Sequence, residues 1–307
     1  MRTLKGVIAA TPTPLKADLT IDIERLVGHC RWLLGDGGCD GINLLGTTGE
    51  ATSFSVDERI AAMRAVAQSG LPLQRMMVGT GASAVADAVA LTTAARELGY
   101  AGALLLPPFY YKGIDAESLA DHVGEVIGKA GPFGLKIYLY HIPQNTGVPF
   151  GPETIARLRE RYPEIVVGLK DSSGDIAFSR ALAARFPGFA VFPSSEGSLT
   201  EWKSAGFAGC ISATTNVTGA LSQIAWTDPE SDRGRAAAAS AMAIRGALAG
   251  FPLMASVKAA LAEISGDAGW ERLVPPLRRL SPSERAELFA RLGKTDFASI
   301  KAPAMAG

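Results

Sequence analysis

Lys170 closes the apolar run Glu164-Ile-Val-Val-Gly-Leu169 and is the only one of the chain's ten lysines at the carboxyl end of a predicted strand. An amine held there keeps its stem in the core and loses hydration, which favours the neutral, nucleophilic form. Tyr140 ends the preceding run, 136–140, and a phenol within reach of a carbinolamine or enamine is a suitable proton carrier. In Gly46-Thr-Thr-Gly-Glu50, Thr47 and Thr48 offer hydroxyls and backbone amides in a tight turn, an arrangement that holds a carboxylate. Pro107-Pro-Phe-Tyr-Tyr111 follows a further apolar run. Together the four positions describe an imine-forming site. Each also has a plainer reading: a lysine paired with Asp171 or another carboxylate, a packing tyrosine, an ordinary turn.

Other chemistries fit less well. The histidines His29, His122 and His141 lack metal-ligand spacing, so no metal site is indicated. His141 follows Tyr140 and faces away from it if strand alternation holds. The chain has no Gly-x-Ser-x-Gly elbow, and the threonine turn lacks the Gly-Lys-[Ser/Thr] ending of a nucleotide loop. Cys30, Cys39 and Cys210 form no close pair, so a disulfide framework is not expected and a reducing compartment is. The 30 basic and 30 acidic residues balance, which gives no reason to expect nucleic acid or an anionic membrane as partner. No apolar segment approaches the roughly 18 residues of a membrane span, and the opening run meeting Thr11-Pro-Thr-Pro14 reads as a first strand rather than a secretory signal. A soluble, cytoplasmic protein is expected.

The elements that must position these residues alternate throughout. Apolar runs at 7–10, 41–45, 75–79, 102–106, 136–140, 166–170, 190–192 and 209–212 are each followed by a segment of helical period. Ile23, Leu26, Val27, Cys30, Leu33 and Leu34 share one helical face before Gly35, and Ser55-Val-Asp-Glu58 is a capping box. Asp115 and Asp175 are expected N-caps, and Gly151-Pro152 opens another helix. Eight strand–helix units predict a closed (β/α)8 barrel, an α/β fold. A doubly wound sheet is disfavoured because no strand runs into Gly-x-Gly-x-x-Gly. The barrel is assigned to residues 1–225 and a helical extension, packed on it as one unit, to 226–307, with helical stretches at 234–249, 255–264 and 283–292. In such a barrel the carboxyl ends of the strands build the active site, which is where Lys170, Tyr140 and the threonine turn fall.

These segments resemble a known family. Gly46-Thr-Thr-Gly-Glu50, Pro108-Phe-Tyr-Tyr-Lys112, Tyr140-His-Ile-Pro-Gln-Asn-Thr-Gly147, Gly168-Leu-Lys-Asp-Ser-Ser-Gly-Asp175 and Gly209-Cys-Ile-Ser-Ala-Thr-Thr-Asn216 are similar to motifs of the class I aldolases that include dihydrodipicolinate synthase and N-acetylneuraminate lyase. The likeness covers residues 4 to about 264. It implies a (β/α)8 barrel with a helical extension, a homotetramer of tight dimers, and no cofactor beyond a covalent imine. By that resemblance Lys170 forms the Schiff base with the 2-oxo carbon of pyruvate or a pyruvate-derived acid, and Tyr140 shuttles protons. Thr47 links Tyr140 to solvent or to Tyr110, which in the synthase branch comes from the neighbouring subunit. Thr48, with the turn at Gly46, binds the carboxylate, and Ile211 flanks the bound pyruvate.

One departure concerns the second substrate. The synthase branch carries an arginine where this chain has Asn145, and an amide has neither the charge nor the bidentate fork needed to grip a carboxylate. The resemblance is closer to the lyase branch, in which Glu196 would bind substrate hydroxyls. Ser194 and Ser256 are expected to line the distal pocket. Asn also stands at this position in 4-hydroxy-2-oxoglutarate aldolase. The expected activity is a lyase or aldolase that joins or separates pyruvate and an aldehyde. The alternatives are a dehydratase or deaminase of a related 2-oxo acid, an authentic 4-hydroxy-tetrahydrodipicolinate synthase, and a non-catalytic keto-acid binder.

Overall fold

The computed structural model describes residues 3–131 and 134–300. Its strands are β1 (Gly6–Ala10), β2 (Gly41–Leu44), β3 (Met76–Gly79), β4 (Gly102–Leu105), β5 (Lys136–His141), β6 (Val166–Asp171), β7 (Ala190–Pro193) and β8 (Gly209–Ser212). All seven pairings are parallel, in the order β7-β6-β5-β4-β3-β2-β1-β8. The Ala208 amide, just before β8, donates to the Val191 carbonyl of β7 at 2.9 Å. That bond brings the two ends of the sheet together, and the barrel is nearly closed. The predicted strands match within two residues. β2 stops at Leu44 because Leu45 turns to φ 51°, and β5 and β6 each run one residue further than expected.

Strand alternation sorts the side chains into two layers. Leu44, Val78, Leu105, Leu139, Leu169 and Val191 face outward into the apolar layer shared with the helices. Ile8, Met77, Leu104, Tyr138, Phe192 and Ile211 fill the interior. β2 and β3 approach so closely at their carboxyl ends that a Cβ on Gly79 would stand 2.1 Å from the Leu45 carbonyl oxygen. Only glycine fits there.

The expected caps form: Ser55 and Glu58 satisfy each other's backbone amides at the start of the helix Val56–Gln68, and Asp115 and Asp175 cap theirs. His29 and His122 lie in helices Ile23–Leu34 and Ala116–Ala130. After β8 the helix Thr215–Thr227 completes the barrel, and Asp232–Ala249, Leu253–Ser265 and Pro282–Leu292 follow. Ile244, Leu248, Leu261 and Leu288 of these helices form a second apolar core. The last part of the predicted extension, 301–307, lies outside the described residues. Among the described residues no single helix is long and apolar enough to cross a membrane.

Candidate active site

Tyr140 and Lys170 are register partners on β5 and β6. Because Leu139 and Leu169 point outward, the next residue on each strand points inward, and both side chains are 3% exposed. The Lys170 Nζ lies 4.4 Å from the centroid of the Tyr140 ring. Asp171, the plainer choice of partner for Lys170, points the other way. Its carboxylate accepts from the Ser179 hydroxyl at 2.6 Å and the Ser173 amide at 2.8 Å. No ion pair among the described residues involves Lys170. Burial pushes the Tyr140 phenol up, but the neighbouring Lys170 charge and hydrogen bonds with Thr47, Ser172 and Lys170 outweigh it, and the phenol ends below its usual value of 10. His141 stacks on Phe178 with centroids 4.6 Å apart and accepts from the Phe150 amide, away from Tyr140.

The threonine turn follows β2. The Ala51 amide donates to the Gly46 carbonyl and the Glu50 amide to the Thr47 carbonyl, and the Thr13 hydroxyl donates to the Gly49 carbonyl at 2.6 Å. Glu50 takes a left-handed conformation with φ 55°, which costs a non-glycine residue about 1 kcal/mol or more. Its side chain offsets this: the fully buried carboxylate pairs with the fully buried Lys258 ammonium and accepts from the Val274 amide at 2.9 Å. Burial draws the Lys258 amine down and Glu50 opposes the shift. The helical extension thus holds the turn that hydrogen-bonds Tyr140 through Thr47.

A cavity of about 240 Å³ opens beside these residues, lined by Gly46, Thr47, Tyr140, Asn145, Arg59 and apolar neighbours including Phe109. Asn145 is exposed in the short helix Pro143–Thr146. Thr48 is buried within the same turn, and Ile211 is buried in the barrel interior. Ser194 directly follows β7 and is half-buried.

Tyr110, expected to come from a neighbouring subunit, is 75% exposed and stacks edge-on against Tyr111. Two other expectations change. Glu196 is fully buried, but its carboxylate is occupied by the hydroxyls of Thr214 and Thr218 and by Arg245 Nη1 at 3.0 Å. It holds β8 and the extension together and presents no free oxygen for a substrate hydroxyl. Ser256 is fully buried inside the extension, where its hydroxyl faces the Leu248 and Leu253 carbonyls.

Sequence reasoning missed Ser172, Arg59, Arg245 and Lys258. Lys258 alone left a signal, a single cation in the apolar run Leu253-Met-Ala-Ser-Val-Lys-Ala-Ala-Leu261. Among the described residues no group of three or more His, Cys, Asp or Glu side chains is placed to hold a metal ion.

An eight-stranded parallel barrel with a buried lysine against a tyrosine at the carboxyl ends of its strands defines the class, a (β/α)8 barrel whose polar site lies where enzymes of this fold carry theirs. The Dihydrodipicolinate synthetase family model matches residues 3–294, and the chain belongs to that family. It is 36% identical over 289 residues to a DapA-like lyase of Chloroflexus aurantiacus, covering 93% of this chain and 95% of that protein. The structure of dihydrodipicolinate synthase from Agrobacterium tumefaciens superposes with a TM-score of 0.87 at 29% identity, over 94% of this chain and 99% of the other. The chloride-inhibited dihydrodipicolinate synthase of Acinetobacter baumannii complexed with pyruvate gives 0.83 at 28% identity, over 97% and 100%.

Proposed function

We propose that this enzyme is a Schiff-base aldolase in which Lys170 binds pyruvate, or a 2-oxo acid derived from it, as an imine. The observation that carries this reading is the buried Lys170 ammonium, free of any carboxylate and 4.4 Å from the Tyr140 ring. The Lys170 amine adds to the C2 carbonyl, and loss of water leaves an iminium. As the C3–C4 bond of a 4-hydroxy-2-oxo acid breaks, its electron pair moves into the iminium to give an enamine, and the C4 hydroxyl loses its proton to become the aldehyde. Tyr140 carries that proton, with Thr47 and Ser172 holding its phenol. Protonation at C3 and hydrolysis of the imine release pyruvate and the free lysine. The synthetic direction runs the same steps backward. Thr48 and the Gly46 turn would receive the carboxylate next to C2, and Ile211 would flank it.

The exposed Tyr110 supports assembly into tight dimers and a homotetramer, with each tyrosine completing the proton relay of a neighbour. A dimer or tetramer in solution is the expected size. Three buried free thiols, Cys30, Cys39 and Cys210, suit work in a reducing cytoplasm.

The experiment is borohydride reduction with and without pyruvate, followed by peptide mass mapping. A pyruvate-dependent adduct on Lys170 is expected, and its absence, or an adduct elsewhere, ends this reading. Product analysis then separates carbon–carbon cleavage, which yields pyruvate and an aldehyde, from elimination of water or amine, which keeps the carbon skeleton.

A further inference from the structure

Asn43 is fully buried on β2, and neither its amide nitrogen nor its amide oxygen has a hydrogen-bond partner among the described residues. Buried amides are nearly always paired, because one taken out of water alone is costly. The side chain faces the barrel interior. Ile42 and Leu44, on either side of it, belong to the outer apolar layer, and its register partners Ala10 and Met77 belong to the inner one.

The barrel brings this amide to Lys170. Strands of a (β/α)8 barrel are staggered by about one residue each, so every interior layer takes four side chains from alternate strands. With the pairings observed, Asn43, Leu104, Lys170 and Ile211 form one such layer. β2 and β6 stand four strands apart in the ring of eight, so Asn43 and Lys170 face each other across the axis, with apolar Leu104 and Ile211 to either side. An interior of this size is only wide enough for facing side chains to meet. Below Asn43 the neighbouring strands turn Ile8 and Met77 inward, whereas above it, toward the mouth, they turn Ala10 and Gly79 inward. The floor is therefore apolar, and the small residues lie on the mouth side. A Cβ built on Gly46 would stand 2.5 Å from the Asn43 Nδ2, which places the amide directly beneath the Gly46-Thr47-Thr48 turn.

Because both amide atoms are unpaired, the partner must both donate and accept. A carboxylate only accepts and an ammonium only donates, but a hydroxyl or a water molecule does both. In the imine mechanism one group of that kind forms beside Lys170, the C2 hydroxyl of the carbinolamine, which then departs as water. We infer that Asn43 is a further catalytic residue, binding the C2 oxygen of the substrate from carbinolamine to departing water. This rests on the Schiff-base reading above. The neutral Lys170 amine adds to C2, the carbonyl π pair moves onto the oxygen, and a proton passes to that oxygen from the nitrogen. The nitrogen lone pair then forms the C=N bond as the C2–O bond breaks, and the oxygen takes a second proton from the Tyr140 phenol and leaves as water. Asn43 donates to this oxygen and accepts from its hydrogen, and exchanges no proton itself. Hydrolysis of the imine reverses the steps, with Asn43 holding the attacking water.

The test follows exchange of the pyruvate C2 oxygen with ¹⁸O-labelled water by mass spectrometry, since each cycle of imine formation and hydrolysis replaces that oxygen. Spontaneous exchange is subtracted with Lys170→Met. Asn43→Val and Asn43→Thr have the same shape and differ in one hydroxyl. Asn43→Val should slow both exchange and formation of the borohydride-trapped Lys170 adduct about 10–100-fold, and it should melt no lower than wild type, because the amide had no protein partner to lose. Asn43→Thr, which keeps a donor and an acceptor, should fall between the two. Exchange in Asn43→Val equal to wild type, or equal losses in both variants, as a packing defect would give, overturns the inference. If Asn43→Val does not fold, Asn43→Leu, close to asparagine in shape, carries the same expectation. Wild type that forms no Lys170 adduct and exchanges no oxygen ends the Schiff-base reading and this inference with it. Wild type that does both while Asn43→Val matches it ends this inference alone.

Discussion

Lys170 and Asp171, consecutive on β6, face opposite sides of the barrel wall. Lys170 meets the Tyr140 ring inside the mouth, and Asp171 anchors Ser179 and Ser173 in the helical layer outside. A strand side chain cannot reach through its own sheet. The two opposite charges therefore never neutralise each other, and the lysine is left available for chemistry.

The separation predicts a division of effects. Asp171→Asn should lower unfolding free energy by about 1–3 kcal/mol, because charged acceptors in buried hydrogen bonds are weakened, while the pyruvate adduct on Lys170 forms as in wild type. Denaturant titration and adduct mass spectrometry measure the two. Loss of the adduct in a variant of normal stability would contradict the geometry.

Removal of the Lys170 charge should change how Tyr140 titrates. With the ammonium present the phenol lies below 10. In Lys170→Met that lowering influence is lost, and the phenol should move upward. Ultraviolet difference titration follows this, with Tyr140→Phe identifying the signal. The same Tyr140→Phe should retain imine formation and lose about 10²–10⁴-fold in kcat.

Breaking the Glu50–Lys258 pair should be expensive, since Lys258→Met leaves a carboxylate buried without its counter-charge. A loss of about 3–5 kcal/mol is expected. Adding Glu50→Gln should recover part of it, and a double-mutant cycle reads the coupling. Additive losses would show that the two residues act independently.

His29 predicts an acid-labile fold. It is fully buried against Trp32 and Trp270 and bonded to Asn216, and burial draws its pKa from 6.5 to about 4, with Asn216 opposing. The unfolded chain binds this proton more readily, so the stability is complete above pH 6.5 and is lost as pH falls through that window toward 4. The contribution between about pH 7.5 and 4.5 is about 2–3 kcal/mol. Denaturation of wild type and His29→Gln at the two values isolates it, and an equal pH dependence in both would remove His29 as the cause.

Much of this protein was legible before its tertiary structure. Eight apolar runs, each followed by a helical segment, are local patterns, and local patterns survive in one dimension. Lys170 stood out because a charge terminating a run buried on both faces is anomalous, and Tyr140 and the threonine turn occupy equivalent positions on their strands. Alternation alone also turned His141 away from Tyr140.

The fates of the remaining charges depended on contacts across long sequence separations. Glu196 reads as a free acid at a strand end until Thr214, Thr218 and Arg245 close around it. Arg59 reads as one of the charges of the solvated segment Val56-Asp-Glu-Arg59 until the barrel buries it against Gly79 and Gly81. Glu50 and Lys258, 208 residues apart, find each other only when the extension packs on the turn. The order of residues determined the barrel and the placement of its lysine, because periodicity and burial of apolar surface are encoded locally. Which cations are neutralised and which remain open to a ligand was decided by the tertiary structure, because pairing is a matter of distance in space.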